Sequence, residues 1–257
     1  KPPFDNALVR KAFSAAIDRE ALLATITGSG TVATQFAPKG IFGAPEPEVG
    51  IGYDLEQAKQ WLAEAGYPDG QGFPEVTLRY AALTTVKATA EALQSMWKEG
   101  LGIEVRLEQQ EFPVFLASTA PSVPSDEMPE MWLLGWLADY PDAENFLFLL
   151  YGPNAKSKTG GSGENASNYQ NPKYDELFSR MRYMDEGPDK AEAINELIKI
   201  VQEDAPWTFG YFPTSSAAFH QWVHNGKPTQ VVRNHIQYLR LDPETRVKAI
   251  KEWNKPI

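Results

Sequence analysis

The chain has 257 residues, 42% of them hydrophobic, enough for one large domain or two small ones. It sets 24 Lys and Arg against 34 Asp and Glu, a net charge of −10 with no basic stripe, which argues against nucleic-acid and anionic-membrane binding. The absence of cysteine excludes a disulfide framework, a thiol nucleophile and thiolate metal sites, and no run of about 18 apolar residues is present to span a membrane.

Residues 5–18 read as a helix with Leu8, Ala12, Phe13, Ala16 and Ile17 on one apolar face. Asp18 reads as the N-cap of a second helix, Arg19–Thr27, stopped by Gly28-Ser29-Gly30. Residues 36–52 are rich in Pro and Gly and read as a loop. Asp54 caps the next helix, with Leu55, Ala58, Leu62 and Ala65 inward and Gly66 at its end.

A strand–helix–strand pattern follows over Val76–Tyr80, Thr85–Lys98 and Ile103–Leu107, which predicts parallel pairing through a right-handed crossover. Residues 118–129 form a Pro/Ser-rich loop. Met131-Trp132-Leu133-Leu134 reads as a short buried strand. Residues 152–168 form a second low-complexity loop, either near a ligand mouth or disordered. Asn171-Pro172 opens a helix through Met184, and Pro188-Asp189 opens a longer one to about Asp204. Residues 206–213 are β-prone, 231–241 are a candidate strand, and Asp242–Trp253 reads as a terminal helix.

The chemistry concentrates after the apolar run at 131–134. The chain there presents Gly135-Trp136-Leu137-Ala138-Asp139-Tyr140-Pro141-Asp142-Ala143-Glu144-Asn145-Phe146. In α/β proteins ligands settle at strand ends, where loops project from a rigid sheet. A carboxylate flanked by aromatic rings suits an ammonium group on an apolar ligand. Asp139 is therefore the leading candidate, against a role as a helix cap near Asn145. Trp136 and Tyr140 are candidate ligand walls, against core packing. Asn145 and Phe146 read as core or cap.

A second aromatic cluster is Trp207, Phe209, Tyr211 and Phe212. Strand alternation would send Trp207, Phe209 and Tyr211 to one side, so Trp207 and Tyr211 are further ligand candidates beside a core reading. His220 and His224 stand four apart, but no metalloprotease glutamate follows His220; with His235 they read as structural, and no metal site or cofactor is assigned. Neither a nucleophile elbow nor a dinucleotide fingerprint is present, and Gly160-Gly161-Ser162-Gly163 lacks the flanking strand and helix of a phosphate loop. Asp139 and Asp142 leave a hydrolase with paired carboxylates as the enzymatic alternative.

Four segments carry a family resemblance: Val9-Arg10-Lys11-Ala12 with Ala16-Ile17-Asp18-Arg19-Glu20; Tyr53-Asp54-Leu55-Glu56-Gln57-Ala58-Lys59 through Ala65-Gly66-Tyr67; Trp136 to Phe146; and Tyr169 with Asn171-Pro172 and Tyr174-Asp175. In this order they resemble family 5 of the bacterial extracellular solute-binding proteins, the oligopeptide, dipeptide and nickel-binding group that feeds ABC importers.

That resemblance implies an α/β fold: one lobe of a periplasmic-binding-protein type II-like fold, with a central mixed sheet flanked by helices. The chain opens on Lys1 and matches the family's later part, which implies the C-terminal lobe of a longer, two-lobed protein. Residues 1–230 would form the ligand-binding lobe, and residues 231–257 a strand and helix that contact the first lobe. The resemblance further implies no catalysis, a small peptide or other small solute such as a carbohydrate as ligand, and Asp139 as partner of a peptide α-ammonium. Permease subunits would be the partners of the full-length protein. Its place would be outside the cytoplasm, in the periplasm or on the outer face of the cell membrane, with or without a lipid anchor.

Overall fold

The computed structural model describes residues 1–26, 30–44, 49–120, 122–124, 126–155, 163–214, 216–227 and 235–253. Several expectations lie outside the described residues: Thr27, Gly28 and Ser29 of the first glycine stop, residues 45–48, Pro121, Ser125, Gly160, Gly161 and Ser162, and residues 231–234 and 254–257.

Short polar caps start the first helices. Asn6 accepts from the Leu8 N–H at 2.9 Å and opens α1 (Ala7–Ala15). Asp18 accepts from the Ala21 N–H at 2.9 Å and opens α2 (Arg19–Ile26), and Asp54 accepts from Gln57 at 2.9 Å at the head of α3 (Leu55–Glu64). Of the stripe expected for the first helix, Ala12, Phe13, Ala16 and Ile17 are buried, but the buried neighbour is Val9 and Leu8 is only half-buried; Ala58 and Leu62 of α3 join the same cluster.

The strand–helix–strand unit forms as β2 (Val76–Ala81), α4 (Thr84–Leu101) and β3 (Val105–Gln110), following the short strand β1 (Gly30–Val32). The first two strands of the unit pair in parallel, with Leu78 opposite Leu107. Helix α5 (Phe112–Thr119) then leads to β4 (Met131–Leu133), which pairs in parallel with the other side of β2, Leu78 facing Met131. The order is β3-β2-β4. Central β2 is buried along most of its length, as a strand covered on both faces must be. Strand β4 is only half-buried, not buried as its apolar run suggested, because it closes one edge of the described sheet. The indole N–H of Trp97 on α4 donates to the Phe13 carbonyl at 3.0 Å and locks α4 to α1.

The α/β class thus holds, with the antiparallel strands set apart from the parallel sheet. β1 pairs with β5 (Tyr211–Pro213), and β6 (Val223–His224) pairs with β7 (Arg240–Leu241). The 206–213 strand shrinks to three residues, because β1 offers only three partners and Arg19 takes the Phe209 carbonyl at 2.8 Å. Within the described part of 231–241, Arg240–Leu241 pair and His235–Tyr238 form a 3-10 turn.

A second core surrounds α6 (Glu144–Leu147), α7 (Pro172–Met181) and α8 (Pro188–Asp204). Leu147, Tyr174, Phe178, Ile194 and Leu197 are fully buried there. Two arginines join the cores. Arg10 of α1 donates to the Asp204 and Ala205 carbonyls at the end of α8. Buried Arg19 spans Ser14, Ile17 and Phe209. The chain closes with α9 (Pro243–Trp253), capped by Asp242. Among the described residues no helix is long and apolar enough to cross a membrane.

Candidate functional site at the carboxyl edge of the sheet

Parallel strands in register end side by side: Tyr80 lies opposite Gln109 on one side and Leu133 on the other. The chain therefore leaves all three strands at one edge. Leu83 follows β2, Phe112 and Val114 follow β3, and Leu134, Trp136 and Leu137 follow β4, and all six side chains are exposed. Leu137 is 67% exposed, an unusual position for leucine in a soluble surface.

The segment after β4 is anchored from beneath. Asn145, in the first turn of α6, is only 4% exposed. Its Oδ1 accepts from the Trp136 indole N–H at 3.2 Å and from the Asp139 backbone N–H at 2.9 Å. The Tyr140 hydroxyl donates to the Glu144 carboxylate. Burial, reinforced by Glu144, pushes the Tyr140 phenol up, while the Asn145 amide pulls it back down. Trp136 also meets the edge of Phe148, with ring centroids 5.7 Å apart.

Asp142 supplies the second anchor. Its Oδ2 accepts from Lys190 Nζ at 2.7 Å and its Oδ1 from the Glu144 N–H at 2.9 Å. Burial works against its charge, but the Glu144 amide and the Lys190 ammonium win and hold the carboxyl below the usual aspartate range. Asp142 thus takes up one of the first free N–H groups of α6.

Trp136, Asp139 and Tyr140 are thus gathered on one loop, and all three are exposed. Trp207 and Tyr211 lie elsewhere. Trp207 packs on Phe36, centroids 5.2 Å apart, in the second core. Tyr211 sits in β5 against the first core.

Two site residues escaped the sequence reading. Asn145 was read as core or cap. Lys190 stands on the inward stripe of α8 with Ala193, Ile194, Leu197 and Val201, and a charge on an apolar stripe was the available signal. His220 lies flat on Trp222 at 4.2 Å, and among the described residues no group of acidic or histidine side chains is arranged to hold a metal.

Comparison with known proteins agrees with this architecture. Residues 1–158 match the family model for bacterial extracellular solute-binding proteins, family 5 Middle. The oligopeptide-binding protein OppA of Bacillus subtilis is 27% identical over 230 residues, covering 87% of this chain and 39% of its own. Heme-binding protein A of Haemophilus influenzae is 30% identical over 223 residues, covering 84% and 39%. Among solved structures, a periplasmic oligopeptide-binding protein of Borrelia burgdorferi superposes with a TM-score of 0.80 at 28% identity, covering 94% of this chain and 46% of that one. The periplasmic binding protein DppA of Helicobacter pylori, in complex with the peptide STSA, gives 0.80 at 26%, covering 94% and 45%. The chain spans about two fifths of the length of these curated relatives. By the family model, which matches well over half of its residues, the chain belongs to family 5 of the bacterial extracellular solute-binding proteins.

Proposed function

We propose that this chain is the C-terminal ligand-binding lobe of a two-lobed substrate-binding protein that captures small peptides for an ABC importer. The observation that carries the reading is the joint exposure of Asp139, Trp136 and Tyr140 on one anchored loop at the carboxyl edge of a parallel sheet. Asp139 pairs the peptide α-ammonium, and Trp136 and Tyr140 line the neighbouring wall. Trp207 and Tyr211, both half-buried, are the further ligand contacts in this reading. The family and the names of its relatives, binding proteins for oligopeptides, murein peptides and dipeptides, support this reading.

No bond is made or broken. The ligand bridges two lobes, favours the closed state by differential affinity, and the permease reads that state. Residues 1–230 form the lobe proper, and the C-terminal segment from 231 contacts the other lobe. The working place is outside the cytoplasm, as for the periplasmic relatives.

A parent binding at about 1 μM holds about −8 kcal/mol, and a lobe with half the contacts keeps about −4 kcal/mol, near 1 mM. The entropic cost of capture is not halved, so this chain alone binds more weakly still. Native mass spectrometry of the two-lobed protein, offered free and N-acetylated peptides beside small oligosaccharides, tests the reading. Selective capture of free-amine peptides, weakened by about 2–5 kcal/mol in Asp139→Ala, is expected. Capture of sugars, or indifference to acetylation, would remove Asp139 from this role.

A further inference from the structure

We propose that Asn145 is a positioning residue for the ligand site: it fixes Trp136 and Asp139 in one orientation before any ligand arrives. The inference rests on the peptide-binding reading above and adds what prepares that site.

Asn145 is buried, while the two residues it holds are exposed. A carbonyl oxygen has two lone-pair directions. Both are occupied here, one by a side-chain donor and one by a backbone donor: the Trp136 indole at 3.2 Å and the Asp139 amide at 2.9 Å. One buried amide oxygen thus holds two of the three candidate ligand residues of the loop, while Tyr140 is held by Glu144. Its own position is set by α6, whose neighbours Phe146 and Leu147 are buried in the second core.

The residue type matters. An aspartate at 145 would present the same acceptor, but its charge would compete with Asp139 for the field felt by an incoming ammonium. An amide accepts both bonds without charge. Without it the indole and the loop backbone must turn to water for partners, and the ring and the carboxylate lose their fixed relation. Ligand binding then has to order them, which is the cost that preorganisation avoids.

The test follows the two-lobed protein by NMR with 15N-labelled indoles, the Trp136 signal being assigned by its loss in Trp136→Phe. Trileucine and N-acetyl-trileucine are the probes. Asn145→Ala is expected to shift the Trp136 indole resonance, speed exchange of the Asp139 amide, and weaken free trileucine about tenfold, so that the two probes become nearly equal. Leu62→Ala, in the first core, lowers stability and should leave both the resonance and the discrimination in place. A purely structural Asn145 would behave like Leu62. Asn145→Asp keeps the acceptor and should keep the Trp136 resonance; if Asn145→Ala fails to fold, this variant decides, and a displaced indole in the folded protein overturns the proposal. If the wild type treats both probes alike, the ammonium reading falls. Positioning then stands or falls on the indole and amide signals alone, and their indifference to Asn145→Ala overturns it.

Discussion

The pair between Lys190 and Asp142 makes an unequal prediction for its two halves. Lys190 is 5% exposed, whereas the Asp142 side chain keeps about a third of its surface. Lys190 also lies in the first turn of α8, where the helix dipole disfavours a cation. Asp142→Ala therefore strands an ammonium in the second core, a loss of about 3–5 kcal/mol. Lys190→Met leaves Asp142 with the Glu144 amide and with water, and should cost at most about 2 kcal/mol. The double variant, with neither charge, should be more stable than Asp142→Ala alone. Urea denaturation at neutral pH measures all three. Acid adds a second reading of the same pair. The Asp142 carboxyl is depressed in the folded state, so its contribution is fully present above the unfolded value of about 3.9 and is lost as pH falls through the lower folded value. The gap between wild type and Asp142→Ala should therefore close in strong acid. Equal losses for the two single variants, or strict additivity in the double, would refute the argument that Lys190 is the dependent partner.

Two further outcomes follow from other parts of the fold. Burial pushes the Arg19 guanidinium down to about 10, still charged at neutral pH, and it serves Phe209, Ile17 and Ser14 without a carboxylate. Arg19→Met should cost at least about 2 kcal/mol in a urea melt, since two carbonyls and a hydroxyl lose a buried donor; a variant as stable as wild type would mean that desolvating the cation costs as much as its bonds return. Gly102 ends α4 at φ +72°, and a Cβ there would lie 2.7 Å from the Asp69 carbonyl oxygen, so Gly102→Ala should destabilise the fold by more than the roughly 1 kcal/mol of an ordinary glycine replacement, read as a lowered melting temperature. Gly135→Ala meets nothing within 4 Å and should stay within about 0.5 kcal/mol of wild type, a control in the same melting experiment.

The parts of the fold that depend on local pattern were legible from residues alone. The helix stripes of α1, α3 and α8, the caps at Asp18, Asp54 and Asn171, and the parallel unit from Val76 to Gln110 each follow from periodicity or capping chemistry. What depends on long-range partners was not. Trp207, Phe209 and Tyr211 alternate as a strand would, yet only Tyr211 finds a ladder, because Phe36 claims the first two rings and Arg19 claims the Phe209 carbonyl. Met131–Leu133 is apolar enough for a sheet centre, but strand order is a property of the whole fold, and it falls at an edge.

The candidate site divides in the same way, and the division explains its construction. Residues that would meet a ligand must be exposed and chemically distinct, so Trp136, Asp139 and Tyr140 stand out in the sequence. Residues that hold them must be buried and polar, and such residues hide among core positions: Asn145 beside Phe146 and Leu147, Lys190 among Ala193, Ile194 and Leu197. A buried polar group is tolerated only when its bonds are satisfied. Here the Asn145 side-chain oxygen and the Lys190 ammonium find their partners on the loop itself. The loop is therefore tied to the second core by groups that cannot relinquish it without stranding a buried polar atom. That gives an exposed, apolar-flanked surface the order of the core beneath it, as the proposed half-site requires.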